Sequence, residues 1–225
     1  MKAMNKHTIV RRGQLFAAGL AVMTLCACSA LLPTATPPPA FYSLDNARGI
    51  APLAASAATP AAATAGALTL IINPPRAAAG FDSQRIIYVR EPHKLDYFAR
   101  SEWVDPPALM LGPLLVTAVE NSGAFRAVVL TPGAAAGDLR LDTEIIRLQH
   151  EFQTQPSRVR LTLRAYLVDD KTRRVLAWRE FDEYAVAASE SPYGGVVAAN
   201  RAVQTVLDKL SAFCAEAARG VRPAK

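Results

Sequence analysis

The chain has 225 residues and a formal charge of +6, from 25 Lys and Arg against 19 Asp and Glu. Four of the cations (Lys2, Lys6, Arg11 and Arg12) lie near the start, so the rest of the chain has 21 basic and 19 acidic residues, a net charge of +2. The overall charge therefore gives no reason to expect nucleic-acid binding, and the chain has no Lys/Arg-rich run.

Residues 1–27 have the three-part pattern of an export signal. Positive charges precede an apolar run over residues 15–25, and small residues follow. Only about 13 residues separate Arg12 from Cys26, whereas a transmembrane helix needs roughly 20 apolar residues. The pattern predicts a signal peptide that is removed rather than a permanent membrane span.

The sequence Leu25-Cys26-Ala27-Cys28 matches the bacterial lipobox. Cleavage between Ala27 and Cys28 would leave Cys28 as an acylated N-terminus, with palmitate-type chains. Cleavage before Cys26 would put Leu25 where a small residue is needed, and a redox or metal pair normally has two intervening residues. Two or more acyl chains hold a protein firmly on a membrane. Because Ser29 is not Asp, we expect an outer-membrane lipoprotein facing the periplasm.

The next segments divide the chain by composition. Residues 28–40 are the acylated N-terminus and a Pro-rich tether, which at ~3.1 Å per residue would reach roughly 35–40 Å. A domain is expected over residues 41–220, followed by a C-terminal tail at 221–225. Within the domain, residues 45–66 are Ala-rich with interspersed prolines, which is typical of a flexible loop.

Hydrophobic periodicity predicts the domain's strands and helices. Strands are expected at residues 41–44, 67–73, 85–91, 94–103, 125–130, 139–148, 159–167 and 174–187. A helix is expected over residues 106–122, with Pro113 inside it, and a clearer one over residues 194–218. The alternation starting at Leu139 changes phase at Ile146, which predicts a β-bulge.

These elements predict an α+β fold: an antiparallel-rich mixed sheet with two amphipathic helices packed on one face. Cys214 falls on the apolar side of the last helix. It is therefore expected to be a buried core residue rather than a nucleophile.

Motifs for catalysis are absent from the sequence, which contains no phosphate-binding loop, G-x-S-x-G or H-E-x-x-H. His93 and His150 have no helix-spaced partner that would predict a metal site. The acid pairs Asp169-Asp170 and Asp182-Glu183 are expected on a turn and on a polar strand face. We expect a protein that is not an enzyme, with no cofactor and no metal.

Three aromatic residues lie near a rigid proline turn and are candidates for a partner interface: Tyr97, Phe98 and Trp103. Aromatic side chains are common anchors of protein interfaces. The same residue types also fill cores, so both interpretations stay open. Arg85 is expected to line the interface or to pair with Asp82 or Asp105.

Four blocks resemble the ABC-type transport auxiliary lipoproteins, a family of PqiC-like intermembrane transport lipoproteins. They are FYSL at residue 41, GFDSQRIIYVREPHKLDYFARSEWVDPPALML at residue 80, SGAFRAVV at residue 122 and GVVAANRAVQTVLDKL at residue 195. They occur in the family's order, and the F-D-S-x-R-I-x-Y and W-x-D-P-P blocks are the most specific. The Ala-rich insert after Asp45 departs from the pattern.

The resemblance implies a non-catalytic lipoprotein that helps to move lipids or other hydrophobic substrates between membranes. Its partners would be a periplasmic MCE-domain protein and, indirectly, an ABC permease and ATPase. The resemblance also implies a homo-oligomeric ring, which no periodicity in the sequence shows. Two other functions stay open: a chaperone-like lipoprotein for envelope assembly and a periplasmic hydrolase.

Overall fold

A computed structural model of the chain describes residues 38–45, 68–132 and 136–221. The expected signal peptide, Cys28, nearly all of the tether and the Ala-rich loop lie outside these residues. In chain order the strands are β1 (Ala40–Tyr42), β2 (Thr69–Ile72), β3 (Arg76–Ala77), β4 (Arg85–Val89), β5 (Asp96–Trp103), β6 (Ala127–Leu130), β7 (Leu139–Glu151), β8 (Arg158–Asp169) and β9 (Val175–Val186); the helices are α1 (Pro107–Glu120) and α2 (Pro192–Arg219).

The longest strand, β7, organises a single mixed sheet. One edge of β7 pairs with β8 along its whole length, and β9 continues the sheet on the far side of β8. The opposite edge is divided among three shorter parallel strands, in the order β2, β3 and β4. β6 extends the β2 end, whereas β5 and then β1 extend the β4 end. The predicted mixed sheet is confirmed, and its longest pairings are the antiparallel ones.

The predicted bulge is confirmed in β7. Ile145 faces Leu163 and Arg147 faces Thr162, so Ile146 has no partner of its own. An extra residue in one strand reverses which side chains face the core. The bulge therefore keeps both Ile145 and Leu148 buried, although they are three residues apart.

Both helices start at prolines. Proline has no backbone N–H, and at the first position of a helix that group would have no partner within the helix. α1 follows the extended Pro106 and contains Pro113. In α2, the Ser191 hydroxyl accepts a hydrogen bond from the N–H of Gly194, which satisfies one unpaired donor of the first turn. No helix in the described part of the chain is long and apolar enough to cross a membrane.

The core lies between the helices and one face of the sheet. α1 packs on β2, β3 and β6, α2 packs on β7, β8 and β9, and the two helices contact each other. Alternate side chains of β8 form one wall of this core, and a stripe of α2 forms the other. The largest fully buried side chains include Leu141, Leu161, Leu163, Leu207 and Leu210. This leaves the other face of the sheet to solvent.

Candidate functional site

The solvent face of β8 and β9 is a lattice of paired charges. Arg160 donates two hydrogen bonds to Asp182, at 2.8 and 2.6 Å, and Arg164 binds Glu180 at 2.8 Å. The hydrogen bonds from Arg160 hold the pKa of Asp182 below its usual range. Because each charge is neutralised by a neighbour across the strands, this face offers no net attraction for an anionic polymer.

An exposed aromatic pair lies at one end of this face. Tyr166 and Trp178 are directly opposite each other on β8 and β9, with stacked rings whose centroids are 6.5 Å apart. Trp178 is 63% exposed, and the two rings border a notch of about 280 Å³ together with Arg164 and Glu180. Sequence reasoning missed this pair. The signal that could have found it is a Trp on the polar side of an alternating strand.

The structure separates the three aromatic residues that the sequence singled out. Tyr97 is 50% exposed, Phe98 is half-buried against the core, and Trp103 is only 3% exposed. The cause is an irregular β4–β5 pairing, in which two steps along β4 correspond to five along β5. The irregularity lets both Phe98 and Trp103 point into the protein, while Tyr97 points out.

Tyr97 instead belongs to a second exposed patch, on the solvent face of β1, β5 and β4. The guanidinium of Arg85 lies over the Tyr97 ring, 4.1 Å from its centroid. Glu102 connects this pair to β1, since it faces Arg85 on one side and Phe41 on the other. Phe41 is 59% exposed. We call Phe41, Arg85, Tyr97 and Glu102 the anchor-side patch, because the chain enters the sheet at β1.

His150 is buried among aromatic rings. It is 2% exposed, and its ring centroid lies 4.1 Å from that of Phe152 and 6.3 Å from that of Phe98. Its Nε2 lies 2.8 Å from the Oγ of Ser157. Its Nδ1 has no hydrogen-bond partner among the described residues. Burial lowers the pKa of His150, although the nearby Glu190 carboxylate opposes this shift.

This Ser–His pair differs from a nucleophile and its base in two respects. In a catalytic triad an acid orients the other nitrogen of the histidine, whereas Glu190 accepts a hydrogen bond from the backbone N–H of Ser157, at 2.9 Å. Ser157 is fully buried, and the adjoining cavity measures about 10 Å³, which is room for roughly one water. The cluster therefore holds the β7–β8 loop against the start of α2 and leaves no space for a substrate.

His93 lies in the β4–β5 turn with a positive φ of 67°. With Phe81, Leu95, Glu151 and Arg160 it borders an open groove of about 500 Å³ on the solvent face. The Glu151 carboxylate in this groove already accepts hydrogen bonds from Arg158 and Gln149. Within the described residues, no cluster of three or more His, Cys, Asp or Glu could hold a metal ion.

The acid pairs have structural roles. Asp169 accepts hydrogen bonds from the backbone N–H groups of Thr172 and Lys171 in the β8–β9 turn, and those from Thr172 do most to lower its pKa. Asp170 binds Arg140 at 2.9 Å. Asp182 is held by Arg160, and Glu183 contacts Lys209 of α2. The expected turn and strand positions are confirmed, but Asp182 and Glu183 point to opposite faces of β9, and only Asp182 lies on the solvent face.

Cys214 is confirmed as a core residue. It is fully buried in α2, and burial raises the pKa of its thiol to about 12. Because the thiolate is the reactive form, this cysteine is unreactive in the folded protein.

Arg85 is not paired with Asp82 or Asp105 by any ion pair between described residues; its contact is with Tyr97.

Comparisons with known proteins agree with this architecture. The solved structure of protein XCC0632 from Xanthomonas campestris, assigned to DUF330, is 24% identical; the match covers 68% of this chain and 87% of that chain, with a TM-score of 0.64. A second solved structure, of an uncharacterised protein, is 11% identical; the match covers 80% of this chain and 98% of that one, with a TM-score of 0.57. Both similarities concern the fold. A search of curated proteins finds no match.

The sequence model of one family, described as the ABC-type transport auxiliary lipoprotein component, matches residues 52–211. This range includes β2 to β9, α1 and most of α2, so it takes in the anchor-side patch except Phe41, and the whole charge lattice. The match covers more than half of the chain. The chain therefore belongs to the family of ABC-type transport auxiliary lipoprotein components.

Proposed function

We propose that the chain is a non-catalytic accessory of an ABC-type system that moves lipids or other hydrophobic substrates between membranes, and that it docks on a periplasmic MCE-domain protein. The observation that carries the proposal is the family match over residues 52–211. The ABC permease and ATPase would be indirect partners. The arrangement around His150 supports a non-catalytic role, because its serine is fully buried beside a cavity of about 10 Å³.

The lipid anchor forms the second part of the proposal. Cys28 would be acylated after cleavage behind Ala27, and the tether would then bring the chain to Ala40, where β1 begins. Acyl chains would hold this end at the outer membrane, with the domain in the periplasm. Replacement of Cys28 by Ala is expected to release the protein from the membrane while the domain still folds. Unchanged membrane retention of Cys28→Ala would contradict the anchor.

The anchor-side patch is the surface that we assign to the MCE partner. Tyr and Arg are enriched among residues that dominate interface energies, and here Arg85 is stacked on an exposed Tyr97. The patch includes Phe41 in β1, so it lies next to the end of the tether. A ring of copies, as the resemblance implies, would present several such patches to one partner, and the mass of the purified complex tests this.

The docking experiment compares capture of envelope proteins by the wild-type chain and by Tyr97→Ala. Truncation of an interface anchor typically costs at least 1–2 kcal/mol, or roughly 10-fold in affinity. Lys171→Ala, in the exposed β8–β9 turn, is the matched control and should capture the partner normally. Capture of an MCE-domain protein that Tyr97→Ala weakens supports the proposal. Capture of outer-membrane assembly components instead would favour the chaperone-like alternative.

A further inference from the structure

The sheet leaves one long edge unpaired among the described residues. β9 has 12 residues and pairs only with β8, whereas the other two outer strands, β1 and β6, have three and four residues. Long edge strands are usually protected by proline, by charged residues, above all lysine or charges that point inward, or by a bulge. From Ala177 to Val186, β9 has no proline, lysine or bulge, and its inward-pointing charges, Arg179 and Glu183, are each paired with a residue of α2. Its edge is therefore competent to pair with another strand.

The sequence of β9 is nearly palindromic about Phe181. Reading outward from Phe181, the paired positions are Glu180 and Asp182, Arg179 and Glu183, Trp178 and Tyr184, Ala177 and Ala185, and Leu176 and Val186. When two copies of one strand pair in antiparallel fashion about a twofold axis at Phe181, each residue faces its palindromic counterpart. The strand is thus complementary to itself.

The side chains on each face suit this register. On the inner face Arg179 would face Glu183 of the second copy, an ion pair that forms twice. On the solvent face the exposed Trp178 and Tyr184 would face each other, and aromatic cross-strand pairs are favourable. Glu180 would face Asp182, but these two carboxylates are already neutralised by Arg164 and Arg160 within each copy.

The backbone N–H and C=O groups of β9 also point in the directions that this register needs. The N–H of Ala187 donates to the carbonyl oxygen of Ser157. In an antiparallel ladder alternate residues point to opposite sides, so the odd-numbered residues of β9 bond to β8 and the even-numbered ones face the free edge. Even positions meet even positions in the register centred on Phe181. Leu176 lies in the β8–β9 bulge, so the four even positions from Trp178 to Tyr184 would form about eight backbone hydrogen bonds between the copies.

The helices leave room for this pairing. α2 packs about equally on the inner face of β8 and β9, so the two copies of α2 would be separated by about two strand spacings, or roughly 10 Å. Packed helices approach to about 8–10 Å, and the two helices would therefore lie at packing distance without overlapping. The interactions with α2, Arg179 with Glu216 and Glu183 with Lys209, lie on the same inner face and need not break.

We infer that two copies of this chain associate through antiparallel pairing of their β9 edges, centred on Phe181, to form one continuous sheet. This inference goes beyond the proposed transport function and does not depend on it. The interface is isologous and closes after two copies, so it differs from the head-to-tail contacts of a ring. One strand pair buries little area, and we expect a dimer of roughly micromolar affinity.

Disulfide crosslinking of the full-length chain in native membranes tests the register. In the Trp178→Cys/Tyr184→Cys variant each new cysteine would face its counterpart at about 5.5 Å between Cα atoms, within disulfide range. Oxidation should give a covalent dimer with about twice the mass of the processed chain. Trp178→Cys alone and Tyr184→Cys alone are the matched controls and should stay monomeric on a denaturing gel. No dimer from the double variant, or equal dimer from either single variant, would overturn the inference.

A second measurement uses the mass of the purified full-length chain in solution. The mass of the wild-type assembly should rise with concentration through the micromolar range as β9 edges pair. Trp178→Lys places a charge on the edge and should abolish this rise, while Tyr193→Lys, at an equally exposed aromatic residue (63% in both cases), should leave it unchanged. A mass that does not change with concentration, or a rise that Trp178→Lys leaves unchanged, would overturn the inference.

Discussion

Replacement of Gly195 by Ala is expected to destabilise the fold because α2 lies against His150 at this point. A Cβ on Gly195 would lie 2.5 Å from Nδ1 and 3.1 Å from Cε1 of the His150 ring. The ring cannot move aside easily, since it is 2% exposed and its Nε2 is hydrogen-bonded to Ser157. The first turn of α2 can therefore lie this close to the ring only because residue 195 has no side chain.

The magnitude follows from two opposing effects. Overpacking a core typically costs about 1–3 kcal/mol, whereas replacing a helical Gly by Ala gains about 0.5–1 kcal/mol. The net loss in the free energy of unfolding then falls between about 0 and 2.5 kcal/mol, and the close contact of about 2.5 Å with the ring leads us to expect a value in the upper half of that range for Gly195→Ala. Gly112→Ala, in α1, is the matched control: its Cβ would lie 3.5 Å from Pro75 and 3.6 Å from Leu130, which is ordinary contact. That variant should gain about 0.5–1 kcal/mol.

Urea unfolding of the three proteins measures this difference. For a domain of this size 1 kcal/mol corresponds to about 2–4 °C in Tm, so thermal unfolding offers a second readout. A double-mutant cycle with His150→Ala isolates the contact, because Gly195→Ala should no longer carry the overpacking cost once the ring is removed. A Gly195→Ala variant as stable as the wild type, or an effect of the same size with and without His150, would show that the contact between residue 195 and the ring is not close-packed.

Three further predictions concern the core and the solvent face. Cys214 should resist alkylation in the folded protein and react once urea unfolds it, because burial raises its thiol pKa to about 12. Leu163→Ala should cost about 2–5 kcal/mol in urea unfolding, and the exposed Leu109→Ala less than about 0.5 kcal/mol. Asp182 has a lowered pKa through Arg160, so its stabilisation should be lost as pH falls through that pKa, and Asp182→Asn should show a shallower acid-side loss below about pH 4. Rapid alkylation of Cys214 in the folded protein would contradict the first prediction, and equal costs for Leu163→Ala and Leu109→Ala the second. Identical pH profiles for the wild type and Asp182→Asn would contradict the third.

Local sequence patterns predicted much of the fold. Period-2 alternation placed β8 and β9, and its change of phase located the bulge at Ile146 in β7. The apolar stripe placed α2, and Pro106 and Pro107 marked the start of α1. These features depend on residues that are close together in the sequence, so the local pattern of side chains is enough to predict them.

Long-range pairings were not readable in the same way. The division of one β7 edge among β2, β3 and β4 depends on contacts between segments far apart in the chain. The same holds for the irregular β4–β5 pairing, which buries Trp103 and exposes Tyr97. The alternation of residues within β5 does not show that five residue steps of β5 lie opposite two of β4. The candidate interface residues could therefore be named from the sequence, but not assigned to the solvent face or the core face of the sheet.

The pairing of charges and of aromatic rings on the solvent face also depends on residues that are far apart in the sequence. Arg160 and Asp182 are 22 residues apart, and only the β8–β9 register brings them together. The alternation predicted a polar face but not that its charges cancel. It also did not show that Tyr166 and Trp178 stand side by side.

Site-specific photo-crosslinking in intact cells would show directly whether the chain docks on a transport partner. A photoreactive amino acid at Tyr97 would report what touches the anchor-side patch, and one at Lys171 would be the control on a distant turn. We expect an adduct at position 97 with an MCE-domain protein of an ABC-type system, and none at position 171. An adduct at position 97 only with other envelope proteins, or the MCE adduct at position 171 alone, would contradict docking through the anchor-side patch.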